Sequence, residues 1–312
     1  MTDLRYLLES GSDRIGALDV QDSPTEYVPR SAEHPTLAEM QLAAERLTAG
    51  ETLAPELAEA LLRGTSIGGA RPKVTLLDDA GQPVIAKLST QSDTYAVVKF
   101  EAVAMALAER VGVHAARTRL TESMGRDVLL VDRFDRPGHG RRTAMVSALT
   151  ILGLDEFTGA RYASYLDLAD KVRARFTDPR ATLAELFRRV VLNICVSNTD
   201  DHARNHAAFW DGDALTLTPA YDISPSLRSG DTATQAMALT RDGRRDARLA
   251  LCRASAHDYL LTPAAAESII DDVVGGIEAH FDDVAQRAGL SDAEYAQLWR
   301  RLVLHPSIHY DV

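Results

Sequence analysis

Residues 198–205 carry the side chains with the clearest chemical potential, in the order Asn-Thr-Asp-Asp-His-Ala-Arg-Asn. Asp200 precedes Asn205 by five positions, and Asp222 follows beyond a short apolar stretch. The small, hard Mg²⁺ ion prefers oxygen ligands and usually takes one or two carboxylates together with substrate phosphates. A carboxylate and an amide on one loop, followed by a second carboxylate, are typical of phosphoryl transfer. We therefore predict that Asn205 and Asp222 bind Mg²⁺ and that Asp200 accepts the proton of the attacking hydroxyl.

Two other interpretations of this segment stay open on the sequence alone. Short polar side chains collect at helix N-termini, so Thr199, Asp200 and Asp201 could simply cap a helix. Carboxylates and imidazoles also bind zinc or manganese, which would make this a hydrolytic metal site. The ligands of such a site would be Asp200, Asp201, His202, His206 and Asp222.

Length and composition are those of an ordinary globular protein. A chain of 312 residues favours about two domains, and the contents of 46% hydrophobic and 25% charged residues are average. No apolar run approaches the roughly 18 residues of a membrane span, and residues 1–16 lack the apolar region of a signal peptide. A net charge of −11 argues against direct binding to nucleic acid. We predict a cytoplasmic protein that contacts neither membranes nor nucleic acid directly.

Cysteine and lysine are both rare. Cys195 lies in an apolar run and predicts a buried thiol, and the spacing of Cys195 and Cys252 suggests neither a metal knuckle nor a disulfide framework. Lysine occurs only at positions 73, 87, 99 and 171, so 30 of the 34 basic residues are arginine. Because the two side chains are not interchangeable at a phosphate site, Lys73 and Lys87 are singled out.

The first part of the chain predicts a hairpin beside a Gly-rich loop. The sequence predicts a flexible segment over residues 64–73, followed by strands at 74–77 and 83–88 with a turn between them. Glycines beside a hydroxyl residue let backbone N–H groups approach a phosphate, although this loop matches neither the Walker pattern nor the dinucleotide fingerprint. Lys87 lies at the end of the second strand. Residues 1–35 are weakly patterned and predict one or two short strands.

Residues 95–111 predict a helix in which Glu101 falls on a largely apolar stripe. A carboxylate that faces a core is costly unless it is paired, and Lys87 is the candidate partner. In the alternative, the helix is rotated slightly and Glu101 faces solvent.

The rest of the chain predicts mainly helices. A strand at 128–131 runs into Asp132-Arg133-Phe134, where an adenine ring could dock on backbone groups. Helical periodicity covers 145–157, 162–176 and 183–196, and three more helices are predicted within 247–304. Two short strands, 207–210 and 215–218, separate Asn205 from Asp222.

Several segments together resemble the HipA family of serine/threonine kinases, the toxins of bacterial toxin–antitoxin pairs. The matching segments, in family order, are residues 68–73, 85–88, Glu101 in its helix, 131–136, 199–205 and 217–223. The resemblance implies an α+β, two-lobed protein-kinase-like fold, with a small β-rich N-lobe over 1–135 and a larger, mainly helical C-lobe over 136–312. It is closest to the short family members, which lack an extra N-terminal segment.

The resemblance also implies roles for individual residues. Asp200 would be the catalytic base, with Asn205 and Asp222 as the Mg²⁺ ligands. His202 has no equivalent role in ordinary kinases, and we predict that it orders the loop through hydrogen bonds and does not bind metal. The residues implied to bind ATP are Ser66, Ile67, Gly68, Gly69, Ala70, Lys87, Glu101, Asp132, Arg133 and Phe134.

Ser66 corresponds to the serine that these kinases phosphorylate on themselves, and Thr65 is a nearby alternative. A phosphate there would add about two negative charges where the nucleotide phosphates should lie. We therefore expect autophosphorylation to switch the enzyme off.

The function implied is an ATP-dependent protein kinase that blocks growth by phosphorylating a translation factor, such as an aminoacyl-tRNA synthetase. A helix-turn-helix antitoxin is the implied partner. Two alternatives stay open: a kinase for a small alcohol or an aminoglycoside, and a nucleotide-binding regulatory module without turnover. The intact trio of Asp200, Asn205 and Asp222 argues against the second alternative.

Overall fold

Two units make up the described part of the chain. The computed structural model describes residues 3–9, 11–30, 36–54, 57–58, 61, 71–138, 140–156 and 162–311. The first unit comprises Met1–Val98 and Arg117–Met145, and the second comprises Lys99–Ala116 and Val146–Val312. The domain boundary between residues 135 and 136 stays a prediction.

The first unit is built on a four-stranded antiparallel sheet. Its strands β1 (Lys73–Leu77), β2 (Pro83–Leu88), β3 (Thr118–Ser123) and β4 (Arg126–Asp132) lie in the order β1-β2-β4-β3. Asp78 closes the turn between β1 and β2, because its carboxylate accepts the backbone N–H groups of Ala80 and Gln82. The predicted hairpin is thereby confirmed.

Two helices, α1 (Asp3–Glu9) and α2 (Leu37–Thr48), precede this sheet. Helix α2 begins with a capping box, in which Thr36 and Glu39 each accept the backbone N–H group of the other. Its apolar face packs on alternating apolar residues of β1 and β2 to form a core. The strands predicted in residues 1–35 were wrong, since the described residues of that stretch contain helix α1 and no strand.

The second unit is mainly helical. Its helices are α3 (Val97–Arg110, which begins at the end of the first unit), α4 (Ala148–Ile151), α5 (Tyr165–Arg175), α6 (Pro179–Cys195), α7 (Leu249–Ser255), α8 (Pro263–Arg287) and α9 (Asp292–Leu298), with 3₁₀ turns at Ala256–Tyr259 and Pro306–His309. Its small sheet has the order β5 (Met145–Ser147), β6 (Ala207–Trp210) and β7 (Leu215–Leu217). None of the described helices combines the length and apolar composition that a membrane crossing requires.

Helix α6 forms the centre of the second unit. Asp178 caps its N-terminus, and Pro179 occupies the first turn, where the missing N–H costs nothing. Every residue from 190 to 195 is buried, because α5, α7 and α8 pack around it. The end of α6, which leads into residues 198–205, is therefore held by a core on all sides.

The helix predicted over 145–157 was wrong in its first part. Residues 145–147 form strand β5 in the small sheet, and helix α4 lasts only from Ala148 to Ile151. The first N–H groups of α4 donate to loop carbonyls, Ala148 to His206 at 2.7 Å and Leu149 to Ala203 at 3.1 Å. These contacts come from residues far along the chain, which local periodicity does not report.

Both cysteines are buried free thiols, which confirms the prediction for Cys195. Cys195 ends α6, and Cys252 lies in α7. Burial raises the pKa of both thiols, that of Cys252 to about 12. The reactive thiolate is therefore suppressed at both positions.

A buried ion-pair cluster joins distant segments of the first unit. Asp135, at 2% exposure, accepts hydrogen bonds from Arg133, Arg136 and the backbone N–H group of Gly16. Arg133 also donates to Asp13. Burial alone would raise the pKa of Asp135, but the hydrogen bonds and charge of Arg133, with the charge of Arg136, lower it below its ordinary value. The cluster therefore stabilises the fold through an ionised carboxylate.

We expect Asp135→Asn to lower the free energy of unfolding at pH 7 by about 3 kcal/mol, the scale of breaking a buried ion pair. A lowered carboxyl pKa contributes stability above the unfolded pKa, near 3.8, and loses it as the pH falls below that value. The difference in unfolding free energy between wild type and variant, measured by urea titration, should therefore become smaller below that pH. The exposed turn variant Asp79→Asn is the control. A difference in unfolding free energy that does not change with pH would contradict this role of Asp135.

Candidate active site

The loop that leaves α6 turns sharply at Ser197. This residue has a φ of 54°, in the left-handed region that non-glycine residues rarely adopt. Its hydroxyl donates to the carbonyl of Leu302 at 2.6 Å, and its own carbonyl accepts the N–H group of Ser226 at 2.9 Å. These bonds hold the turn, so that residues 198–205 start from a fixed point.

Asp201, at 3% exposure, is the buried anchor of this loop. Its Oδ2 atom accepts hydrogen bonds from the Tyr165 hydroxyl at 2.5 Å, from Nδ2 of Asn193 at 2.7 Å and from Nε2 of His206 at 2.8 Å. Burial, together with the charge of Asp201, raises the pKa of Tyr165 well above its ordinary value, so the phenol stays protonated and donates. A buried carboxylate is tolerated only when it is satisfied in this way.

Asp200 and Asn205 differ from Asp201 in having side chains that remain open to a ligand. Asp200 is exposed, and within the described part of the chain its carboxylate has no hydrogen-bond or ion-pair partner. Asn205 is buried, and its Nδ2 atom donates to the carbonyl of Asp200 at 3.4 Å. This orientation leaves Oδ1 of Asn205 as the acceptor that a hard cation could use, which fits Mg²⁺.

The segment of Asp222 contacts this loop directly. The hydroxyl of Tyr221 donates to the carbonyl of Arg204 at 2.7 Å. Burial, followed by the charge of Asp222, raises the pKa of Tyr221 and keeps it a donor. Asp222 has a φ of 61°, a conformation that Asp and Asn adopt more readily than other side chains. The bond joins the neighbours of Asn205 and Asp222, so the structure brings both predicted metal-ligand segments together.

Arg189, one turn before Asn193 on α6, is a second buried anchor. It is 2% exposed, and its Nε atom donates to Glu185 at 2.8 Å. Its Nη2 atom donates to the carbonyls of Thr218, at 2.8 Å, and His114, at 3.2 Å. Thr218 lies in the segment that leads to the second predicted metal ligand. Helix α6 therefore holds both residues 198–205 and that segment.

Four anchors of the site carry no such role in the sequence-based interpretation: Tyr165, Arg189, Asn193 and Asp201. The sequence could have indicated two of these residues. Arg189 and Asn193 are polar residues in an otherwise apolar stretch of helix, and their spacing of four places them on one face. Tyr165 gives no signal, since an aromatic residue in a helix is ordinarily a packing residue.

The two competing interpretations of this segment do not hold. No helix begins at residues 199–201, because the loop leads into strand β6, so the helix cap was wrong. All five proposed ligands of the hydrolytic site are described, and among the described residues no group of three acidic, His or Cys side chains could hold a metal. The ring of His202 makes no hydrogen bond within the described part of the chain. The ring that orders the loop is that of His206.

Two residues predicted to contact ATP are buried. Lys87, at 8% exposure in β2, lies directly opposite Lys73 of β1. Glu101 in α3 is 3% exposed, so the alternative in which it faces solvent was wrong. The pairing of Lys87 with Glu101 stays a prediction.

The remaining residues predicted to contact ATP lie at the end of β4 and in the Gly-rich loop. The Arg133 side chain is engaged by Asp135 and Asp13, so an adenine contact at Asp132, Arg133 and Phe134 would use the backbone and stays a prediction. The loop residues lie outside the described residues: Thr65, Ser66, Ile67, Gly68, Gly69 and Ala70.

Comparison with known proteins decides the family. The model of the family described as HipA-like C-terminal domain matches residues 65–281. The chain belongs to this family. The match includes the Gly-rich loop, Lys87, residues 199–205 and Asp222, which are among the segments that carried the resemblance to HipA.

Curated relatives of this HipA-like chain are distant. The "Putative kinase Y4mE" of Sinorhizobium fredii is 26% identical over 265 residues, which are 78% of this chain and 62% of that protein. The serine/threonine-protein kinase toxin HipA of Shewanella oneidensis is 26% identical over 189 residues, which are 51% of this chain and 42% of that protein. The chain thus spans less than two thirds of the length of either relative.

A solved structure confirms the fold. HipA of Shewanella oneidensis MR-1, determined in complex with HipB and its operator DNA, matches with a TM-score of 0.76 at 19% identity. The match covers 100% of this chain and 82% of that chain. The predicted kinase-like α+β fold is therefore confirmed.

Replacing Arg189 should destabilise the second unit. Arg189→Met removes the buried donor to the carbonyl of Thr218 and the charge beside Glu185, while the carbonyl of His114 keeps the N–H group of Ala220. We therefore expect the free energy of unfolding to fall by about 3 kcal/mol. Arg188→Met is a matched control on the same helix, because Arg188 is more exposed and donates to one carbonyl, that of Val111. Equal losses in urea denaturation of the two variants would contradict the anchoring role.

Proposed function

We propose that this chain is an ATP-dependent serine/threonine protein kinase of the HipA type. The observation that carries the proposal is the Tyr221–Arg204 hydrogen bond, which joins the segments of Asp222 and Asn205 beside the exposed Asp200. This is the set of oxygen donors that phosphoryl transfer requires. The family match and the kinase names of the two curated relatives support it.

In the proposed reaction, each residue has a distinct task. Asp200 accepts the proton of the attacking serine or threonine hydroxyl, whose oxygen forms a bond to the γ-phosphorus as the bond to the ADP oxygen breaks. Asn205 and Asp222 would hold Mg²⁺, which when bound neutralises charge on the phosphates. Lys87 contacts the phosphates of ATP, and the backbone at residues 132–134 receives the adenine. Exposure of Asp200 leaves room for a protein acceptor.

The biological role that we propose follows the family. The chain would act as a growth-inhibiting toxin in the cytoplasm, phosphorylating a translation factor such as an aminoacyl-tRNA synthetase, and a helix-turn-helix antitoxin would restrain it. The solved HipA complex contains HipB and operator DNA, which supports an antitoxin partner. The net charge of −11 favours DNA contact through that partner and not through this chain.

Asp200→Asn tests the proposed base. We expect phosphoryl transfer from ATP to protein to fall by about two to four orders of magnitude, with ATP affinity nearly unchanged, because the base acts on the acceptor hydroxyl. Asp213→Asn, in the exposed β6–β7 turn, is the matched control. Radiolabel transfer to protein and to small alcohols separates the two substrate classes. Full activity of Asp200→Asn would remove the residue from the mechanism, and labelling of small alcohols alone would favour the small-molecule kinase.

Ser66 is the proposed site of autophosphorylation. After incubation with Mg-ATP, mass spectrometry should find phosphate on the peptide spanning residues 64–71, and activity should fall because the added charge competes with the nucleotide phosphates. Ser66→Ala should abolish this modification, whereas Thr65→Ala should preserve it. An active enzyme with an unmodified peptide would reject the switch.

A further inference from the structure

The position of Asp200 depends on its neighbours in the chain. Its own carboxylate has no partner within the described residues, so no side-chain bond holds it in place. General-base catalysis nevertheless requires the accepting oxygen to lie within hydrogen-bond distance of the acceptor hydroxyl. The geometry must therefore come from contacts made on either side of this residue.

One side chain contacts both sides. Nδ2 of Asn193 donates to Asp201, the residue after Asp200, at 2.7 Å. Oδ1 of Asn193 accepts from Nδ2 of Asn198, two residues before Asp200, at 3.0 Å. The backbone carbonyl of Asn193 also accepts the N–H group of Asn198 at 2.9 Å.

We propose that Asn193 is a positioning residue that fixes the proposed base by clamping the loop on both sides of Asp200. The inference rests on the proposed function and extends it, since it assigns the source of the base's geometry. Asn193 suits the task because an amide offers both a donor and an acceptor. It is 3% exposed on a helix surrounded by core, so the clamp has a rigid support.

Removal of the donor of this clamp allows a test. In Asn193→Asp, a second carboxylate faces Asp201 at the 2.7 Å contact, and the donor is lost. The side-chain oxygen that accepts from Asn198 is retained. In Asn193→Leu, both side-chain contacts are lost, so this variant measures the loss of the whole clamp.

We expect Asn193→Asp to lower kcat for protein phosphorylation by about 100-fold, the effect of a displacement near 1 Å. KM for ATP should change by less than about threefold, because the proposed nucleotide contacts lie elsewhere. Asn193→Leu should lower kcat at least as far, because it removes the side-chain contacts on both sides of Asp200. A purely structural role would lower the folded fraction without separating kcat from KM.

The control is Gln235→Leu, which replaces a buried amide that has no hydrogen-bond partner among the described residues; kcat should not change. If Asn193→Asp does not fold, Asn193→Leu takes its place. Full activity of either folded variant would overturn the clamp.

Hydrogen exchange separates this inference from the proposed function. Amides of residues 198–202 should exchange at least about tenfold faster in Asn193→Asp than in wild type, whereas Gln235→Leu should leave their exchange unchanged. If the wild-type chain transfers no phosphate to protein, the proposed function fails, and exchange still decides whether Asn193 clamps the loop. Unchanged exchange would reject the clamp whatever the activity.

Discussion

The buried carboxylate of Asp201 is the constraint on which the rest of the site depends. A charge removed from water is tolerated only if hydrogen bonds replace its hydration, and here the donors come from three elements: helix α5 through Tyr165, helix α6 through Asn193, and the entry to strand β6 through His206. Satisfying this one oxygen therefore fixes where two helices and a sheet meet. Residues 198–205, the proposed catalytic loop, lie at that meeting point, so the core determines the shape of this loop.

The proposed reacting groups are held indirectly. The carboxylate of Asp200 has no partner among the described residues. The neighbouring backbone is held by side chains such as Tyr221 and Arg189, which donate hydrogen bonds to the carbonyls of Arg204 and Thr218. Two residues of the region, Ser197 and Asp222, adopt left-handed backbone conformations without being glycine. Such strain at predicted functional positions persists only where surrounding bonds determine the path of the chain.

Local patterns in the sequence predicted much of the fold and part of the candidate site. The strands around Lys87, the helix of Glu101 and the order of loop, hairpin and aspartate follow from periodicity and turn residues, and the family motifs add the kinase-like fold. Prediction failed where contacts with residues distant in the sequence determine the local structure. Residues 145–147 pair as a strand with β6 despite their helical periodicity, and the role of Asp201 depends on Tyr165, which lies 36 residues earlier. The side-chain clamp of Asn193 is likewise invisible until the helix and the loop are seen together.

The two thiols have a practical consequence for following the loop in solution. Cys195 and Cys252 are the whole cysteine content of the chain, and both are buried with raised pKa values. A single cysteine introduced at an exposed position would therefore be the preferred target of maleimide dyes or spin labels in the native protein. Fluorescence or paramagnetic measurements of movement near the catalytic loop can thus be made without first removing native residues from the core.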